Sequence, residues 1–247
     1  GPRRVGKTTL INHILESNTN ILFFNGDDRN DREALAKNSF KYLDNLIGSK
    51  EIVFIDEAQK IEEIGNTLKL LVDNYGDTKQ IIATGSSSLN LLSHTSESLT
   101  GRKHVYELYP LSVSEIYSQR HPLDLDKELE NLLIYGTYPE IYSGSRKVKE
   151  ERLLEITRSY LYKDILALEE IRSSSSIDKL LSALALQIGS EVSLNELSNL
   201  LNLNLRTVER YIDLLEKNYV IYRLHPFYTN ERKVLSKQNK IYFYDLG

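Results

Sequence analysis

The sequence predicts an α/β fold: a parallel sheet, then a helical region, then two short helices with a pair of strands. Three observations carry this. Over roughly the first 120 residues, short apolar runs alternate with helical spacings, as in βα units. Residues 119–189 lose the strand-like runs and keep helical spacing almost throughout. From Ser190 the pattern changes again, to two short helices followed by aromatic-rich strands.

The opening stretch, GPRRVGKTTL, has the spacing G-x-x-x-x-G-K-[ST] of a phosphate-binding loop. Gly1 and Gly6 let the backbone turn tightly, so that the N–H groups of Pro2-flanked Arg3, Arg4, Val5, Gly6, Lys7, Thr8 and Thr9 can surround phosphate oxygens. Lys7 is expected to meet the β- and γ-phosphates, and the Thr8 hydroxyl to ligate Mg²⁺. Leu10, Ile11, Ile14 and Leu15 follow at helical spacing, so the phosphates would face a helix N-terminus. The strand that should precede such a loop lies before Gly1, and the sequence contains no Met, so a piece of a longer protein is expected. The fold class that follows is a P-loop NTPase parallel-sheet core (1–118), a helical connector (119–189) and a winged helix-turn-helix (190–247).

Each element has its own warrant. NILFFNGDD reads as a strand ending at Asp27 and Asp28, and DREALAKNSFKYLDNLIG as one helix closed by Gly48. EIVFIDEAQ is a buried strand with a carboxylate tip, IGNTLKLLVDNYG the next helix, and KQIIATGSSS a further strand ending in small polar residues. HVYELYP suggests a last short strand, with a helix started by Ser112 or Ser114 after Pro110. RSSSS at 172–176 reads as a polar break between helices.

In IVFIDE, the buried strand delivers Asp56 to its C-terminal end, where open α/β sheets bind ligands. Asp56 is expected to hold Mg²⁺, and Glu57 to orient and deprotonate the attacking water. Ser86 or Ser87, at the next strand end, would position that water or sense the γ-phosphate, unless the stretch is a plain serine-rich loop. Arg102 is a candidate for the arginine that stabilises transition-state charge, its alternative being a solvated loop residue. Of Arg3 and Arg4, one would contact nucleotide and the other a protein carboxylate. Asp27 would approach the metal or cap a helix. The N-K-x-D guanine signature is missing from the sequence, which makes ATP the expected nucleotide.

The C-terminal segment carries a capping box, Ser193-Leu-Asn-Glu196, with Leu194, Leu197, Leu200 and Leu201 as an apolar face. A second helix, LRTVERYIDLLEKN, would bury Val208, Tyr211, Ile212 and Leu215. Arg206, Thr207 and Arg210 are then left where recognition helices touch duplex DNA, with YVIYRL and KIYFYD as wing strands. Residues 190–247 hold 8 basic and 7 acidic residues, which favours a packing module as much as a DNA contact. The whole chain, at net charge −4, is not a general polyanion binder. Without cysteine it has no disulfide or thiolate metal site, which allows a cytoplasmic setting. No apolar run approaches the roughly 20 residues of a membrane span.

Taken in order, GPRRVGKTT, FIDEAQ, TGSSS, LTGRKHVYELYPLSVSEI, YGTYPEI, YLYKDIL, ALALQIGSEVS and TVERYIDLLEKNYVIYRL resemble the prokaryotic AAA-type ATPases that carry a C-terminal domain of unknown function 4143. The resemblance covers nearly the whole sequence. It implies an ATP-binding core, a helical region, a winged helix and then a domain similar to PD-(D/E)xK nucleases, with KIYFYDLG resembling its start. The nuclease-like motif itself does not occur in the sequence. Mg²⁺-dependent ATP hydrolysis is the activity it suggests, with an ATP-gated DNA-binding regulator as the alternative, and a homo-oligomer as a possible assembly.

Overall fold

The computed structural model describes residues 1–86, 99, 101–118, 122–157, 174–227 and 238–247. The chain divides into two compact units, Gly1–Leu108 and Tyr109–Gly247.

The first unit is built on a parallel sheet of three strands, β1 (Ile21–Asn25), β2 (Ile52–Asp56) and β3 (Gln80–Ala83), in that spatial order. Parallel neighbours need crossovers. Helices α2 (Arg29–Leu35) and α3 (Phe40–Ile47) link β1 to β2, and α4 (Ile64–Tyr75) links β2 to β3. All five residues of β2 are buried, as a central strand requires. Val53 and Ile55 point into a core with Leu35, Leu43, Ile47, Ile64, Leu68, Leu71 and Tyr75. Phe54 takes the opposite face, its ring centroid 5.2 Å from that of Phe23.

Several sequence expectations are corrected here. The expected long helix over 31–48 is two helices, because Asn38 takes a left-handed φ of 45° and Ser39 restarts the chain as an N-cap. The break is held from α4: the buried Thr67 hydroxyl donates to the Leu35 carbonyl at 2.7 Å, with Asn38 Oδ1 at 3.0 Å. Strand β1 ends at Asn25; Asp28 instead caps α2, accepting from the N–H groups of Asn30 and Asp31. The expected strand at HVYELYP is not formed, since a strand exists only where a neighbour completes its ladder and the described sheet ends at β3. That segment instead passes so close to Gly1 that a Cβ there would overlap the Leu108 backbone.

The second unit opens with α5 (Val113–Ser118), where Ser112 Oγ accepts from the Glu115 N–H at 3.2 Å and the Glu115 carboxylate accepts from the Ser112 N–H at 2.7 Å. Helices α6 (Pro122–Tyr135), α7 (Pro139–Tyr142), α8 (Arg146–Ile156) and α9 (Ser174–Ala185) follow. Ser174–Ser176 form the first turn of α9 rather than a break, and the rest of RSSSS lies outside the described residues. Then come α10 (Leu194–Leu201), α11 (Leu205–Lys217) and an antiparallel pair, β4 (Ile221–Leu224) and β5 (Lys240–Phe243). Helix α11 buries Val208, Tyr211, Ile212, Leu214 and Leu215. On α10 Leu197 is buried, but Leu200 is 65% exposed and leaves the expected apolar face, since it lies about 120° round the helix from Leu194 and about 100° from Leu201.

The chain end is tied into this unit. Asp245 accepts from the Thr137 N–H at 2.6 Å, the Thr137 hydroxyl at 3.1 Å and the Gly247 N–H at 3.0 Å. Burial raises the Asp245 carboxyl above its ordinary pKa, against the pull of these donors. Gly136 sits at φ 73°, and a Cβ there would overlap the Asp245 carboxylate. Gly136→Ala is therefore expected to destabilise the protein by roughly 2–4 kcal/mol, from left-handed strain plus overlap. Gly144→Ala, where a Cβ meets Val148 Cγ1 at 3.1 Å and the Ile141 and Glu140 carbonyl oxygens at 3.4 and 3.5 Å, is expected to cost within about 1 kcal/mol. Urea unfolding of the two variants checks the difference, and equal effects would contradict it.

Candidate functional site

The site forms at the C-terminal edge of the parallel sheet, within the first unit. Gly6, at φ 89° and ψ 21°, is the N-cap of α1 (Lys7–Leu15), and Arg4 also takes a left-handed φ of 59°. These turns curl the loop Gly1–Gly6 and aim the first N–H groups of α1 at its mouth. Lys7 arches back over the loop and donates to the carbonyls of Gly1 at 3.1 Å and Pro2 at 2.6 Å. Burial lowers the Lys7 pKa from its ordinary value, while Glu57 and Asp56 oppose that shift and Arg3 adds to it. A half-desolvated ammonium among carbonyl dipoles is a group that an anion would stabilise. Val5 is buried beneath the loop, and Thr9 is exposed on α1.

Asp56 ends β2 and is buried. Its Oδ2 accepts from the Thr8 hydroxyl at 2.8 Å, and its Oδ1 from the Thr84 hydroxyl just beyond β3. Residues 48 positions apart in sequence thus present adjacent oxygens. Glu57 follows in a left-handed turn, φ 48° and ψ 40°, before a short 3₁₀ turn over Ala58–Lys60. The turn is pinned by the Ala58 N–H donating to the Thr84 carbonyl at 2.9 Å. It also needs Gly26, whose N–H donates to the Asp56 carbonyl at 2.8 Å and where a Cβ would overlap the Glu57 carbonyl.

Behind Glu57 lies a polar chain. The Gln59 amide donates to Glu57 Oε2 at 2.5 Å and to Ser86 Oγ at 3.0 Å, and Ser86 Oγ also accepts from Arg3 Nε at 3.3 Å. Ser86 is buried. Ser87, the other serine considered at this strand end, lies outside the described residues.

The structure thus gathers Arg3, Lys7, Thr8, Asp56, Glu57 and Ser86 in one place. It does not bring Arg102 there. Arg102 pairs with Asp73, near the end of α4. A crossover helix runs antiparallel to its strands, so Asp73, about 14 Å along α4 from its start, lies toward the opposite edge of the sheet from Asp56. Asp27 pairs with Lys60 rather than capping a helix. Three participants escaped the sequence reading: Thr84, Gln59 and Gly26. Thr84 was legible as the first polar residue after the β3 run, but only the β2–β3 register shows that it meets Asp56. Among the described residues no group of three or more His, Cys, Asp or Glu side chains is placed to hold a metal ion.

In the second unit Arg206 and Arg210 are exposed at the start of α11. Thr207 is engaged in the cap, its N–H and hydroxyl each donating to Asn204 Oδ1 at 2.8 Å. Arg223 of β4 ties Asp213 and Glu216 of α11 to the ribbon. The wing lysines expected between the strands fall mostly outside the described residues, and among the described residues no helix is long and apolar enough to cross a membrane.

Comparison with known proteins finds a separate family model matching each part of the chain. Residues 1–117 match the model of an AAA domain, and residues 126–247 that of a domain of unknown function, DUF8612. The second match differs from the 4143 domain in the sequence resemblance. KIYFYDLG lies within this second match, and its strand β5 pairs with β4. Similar chains include uncharacterized proteins of Mycobacterium tuberculosis (27% identical over 248 residues, covering 100% of this chain and 53% of that protein) and Methanocaldococcus jannaschii (26% over 270 residues, 99% and 59%). One of Haemophilus influenzae is 24% identical over 271 residues, covering 100% of this chain and 66% of that protein. The chain thus spans between about half and two thirds of the length of these curated relatives. The AAA domain match supports an AAA-type ATPase family and, with it, nucleotide binding by the first unit.

Proposed function

We propose that this chain is an AAA-type ATPase that binds ATP with Mg²⁺ and hydrolyses it, in a cytoplasmic setting. The core would occupy residues 1–118, a helical connector 119–189 and a winged helix 190–247. One observation carries the catalytic reading: the Thr8 hydroxyl lies 2.8 Å from the buried Asp56 carboxylate, with Glu57 next in sequence at the same sheet edge. The donor set suits Mg²⁺, a hard cation bound by one or two protein oxygens plus substrate phosphates. Thr8 and Asp56 would hold it, and it would neutralise charge on the β- and γ-phosphates. Lys7 exchanges its loop carbonyls for phosphate oxygens, and the backbone N–H groups from Arg3 to Thr9 line the rest of the phosphate cradle. Glu57 orients water and accepts its proton as the water oxygen bonds to the γ-phosphorus and ADP departs.

A second reading, an ATP-gated regulator that contacts duplex DNA, draws on the exposed Arg206 and Arg210. Arg223 occupies Asp213 and Glu216 of the same helix, which reduces the opposing negative charge.

Titration with labelled ATP and Mg²⁺ is expected to show at least about tenfold weaker binding for Lys7→Ala, because a charged hydrogen-bonding partner is lost. Glu57→Gln is expected to bind ATP normally and to hydrolyse it about 10²-fold or more slowly. Normal turnover by Glu57→Gln would refute Glu57 as the base.

Arg102→Ala is expected to leave ATP affinity and turnover within about twofold, since its partner Asp73 lies toward the far edge of the sheet. A fall in turnover with intact binding, repaired by mixing with Glu57→Gln protein, would instead make Arg102 a finger supplied by a second copy in a homo-oligomer.

For the DNA reading, fluorescence anisotropy of a labelled duplex at two salt concentrations is expected to show weak, salt-sensitive binding with a shallow slope. Arg206→Ala combined with Arg210→Ala is expected to abolish it while ATP hydrolysis persists. Salt-insensitive or absent binding by the unaltered protein would leave 190–247 as a packing module.

A further inference from the structure

We propose that the second unit holds a binding site for a small organic ammonium ion, whose head meets Asp245 and Tyr138 and whose body fills an apolar cavity. The site lies wholly within that unit and is independent of the ATPase reading. The cavity has a volume of about 380 Å³, inside the range of roughly 300–1,000 Å³ found for small-molecule sites. Its walls include Leu153 and Ile156 of α8, Leu181 and Ala185 of α9, and Phe243, the last residue of β5. Spacings of three and four residues put each helical pair on one face. Ala185 is exposed, and Leu153, Ile156 and Leu181 are only partly buried, so this apolar lining is open to a ligand.

One end of the cavity is polar, for Asp245 and Tyr138 also line it. The bonds from Thr137 to Asp245 bring the two together, since Tyr138 is the next residue along the chain. Tyr138 is only 7% exposed, and its hydroxyl makes no hydrogen bond among the described residues. A buried hydroxyl in that condition carries a desolvation cost that a ligand hydrogen bond removes. Asp245 meets only neutral donors: the Thr137 N–H and hydroxyl and the Gly247 N–H. No Lys, Arg or His pairs with it among the described residues. A half-buried carboxylate in an apolar wall is stabilised by a cation that enters beside it.

The same contacts choose among ligands. The carboxylate repels an anion, and a neutral molecule leaves its charge uncompensated. Among cations, the acceptor positions decide. A carboxylate offers about four lone-pair sites, of which Oδ2 uses two on Thr137 and Oδ1 one on Gly247. A guanidinium needs both oxygens for its paired N–H bonds, whereas an ammonium is a point charge with rotatable donors. One ammonium N–H therefore donates to Oδ1 and a second to the Tyr138 oxygen, while the hydrocarbon body covers Leu153, Ile156 and Leu181.

The test is calorimetric titration of the full chain with octylammonium, octylguanidinium, octanol and octanoate, which share one tail and differ in the head. Octylammonium is expected to bind at least about tenfold more tightly than octanol or octylguanidinium, and octanoate not to bind. Asp245→Asn is expected to reduce octylammonium to the affinity of octanol. Tyr138→Phe removes only the unpaired hydroxyl, so it is expected to weaken octylammonium about threefold or more without lowering the urea midpoint. It carries the test of the head contacts if Asp245→Asn fails to fold. Ala185→Phe fills the cavity from an exposed position and is expected to abolish binding of both octylammonium and octanol. Equal affinities for octylammonium and octanol in the unaltered protein overturn the ammonium assignment. Octylammonium binding unchanged in Tyr138→Phe overturns the head contacts, and binding that persists in Ala185→Phe overturns the cavity. Failure of the unaltered protein to bind octylammonium overturns the whole proposal.

Discussion

The Asp56 carboxylate is the constraint around which the first unit is arranged. A buried carboxylate is tolerated only where donors satisfy it. The Thr8 and Thr84 hydroxyls do so from either side. Thr8 places the first turn of α1 at the end of β2, and Thr84 fixes the exit of β3 beside it. The register of the sheet, the position of the Gly1–Gly6 loop and the orientation of the candidate metal ligands are therefore coupled. Losing either hydroxyl would leave an under-satisfied carboxylate at the centre of the site.

The turn that follows Asp56 shows how close packing serves chemistry. Glu57 adopts a left-handed conformation, and Gly26 leaves room for its carbonyl. The consequence is a sharp corner that leaves Glu57 partly exposed beside the loop while Ala58 returns to the core. Gln59 then emerges on the same side as Glu57, which places an amide within reach of the carboxylate. Strain at such a corner persists because β1, β3 and α4 fix the backbone on all sides.

The second unit uses the same device for a different end. Asp245 closes on the Gly136–Thr137 turn, joining the chain's last residues to the turn between α6 and α7. Stacked tyrosines extend the joint: Tyr222 and Tyr242 face each other across β4 and β5 with ring centroids 5.5 Å apart. Tyr109 stacks on Tyr244 at 5.3 Å. These contacts explain why YGTYPEI and KIYFYDLG, more than 100 residues apart, fall within one matched domain.

The sequence by itself determined the strands β1 to β3, the tight turn of Gly1–Gly6 into α1, Asp56 at a strand end, Glu57 beside it, and the α10–α11–β4–β5 succession. Each rests on local information: apolar period, capping residues or motif spacing. It did not determine the break at Asn38, because that break is stabilised by Thr67 from another helix rather than by anything within DREALAKNSFKYLDNLIG. It did not exclude a strand at HVYELYP, because extended residues become a strand only when a neighbour is available. Nor did it reveal Thr84, Gly26 or Gln59 as parts of the site, or place Arg102 beside Asp73 and away from Asp56. Those assignments are distances between segments brought together by parallel pairing and helix crossover, and only the tertiary structure decides which hydroxyl, amide or cation ends beside a given carboxylate.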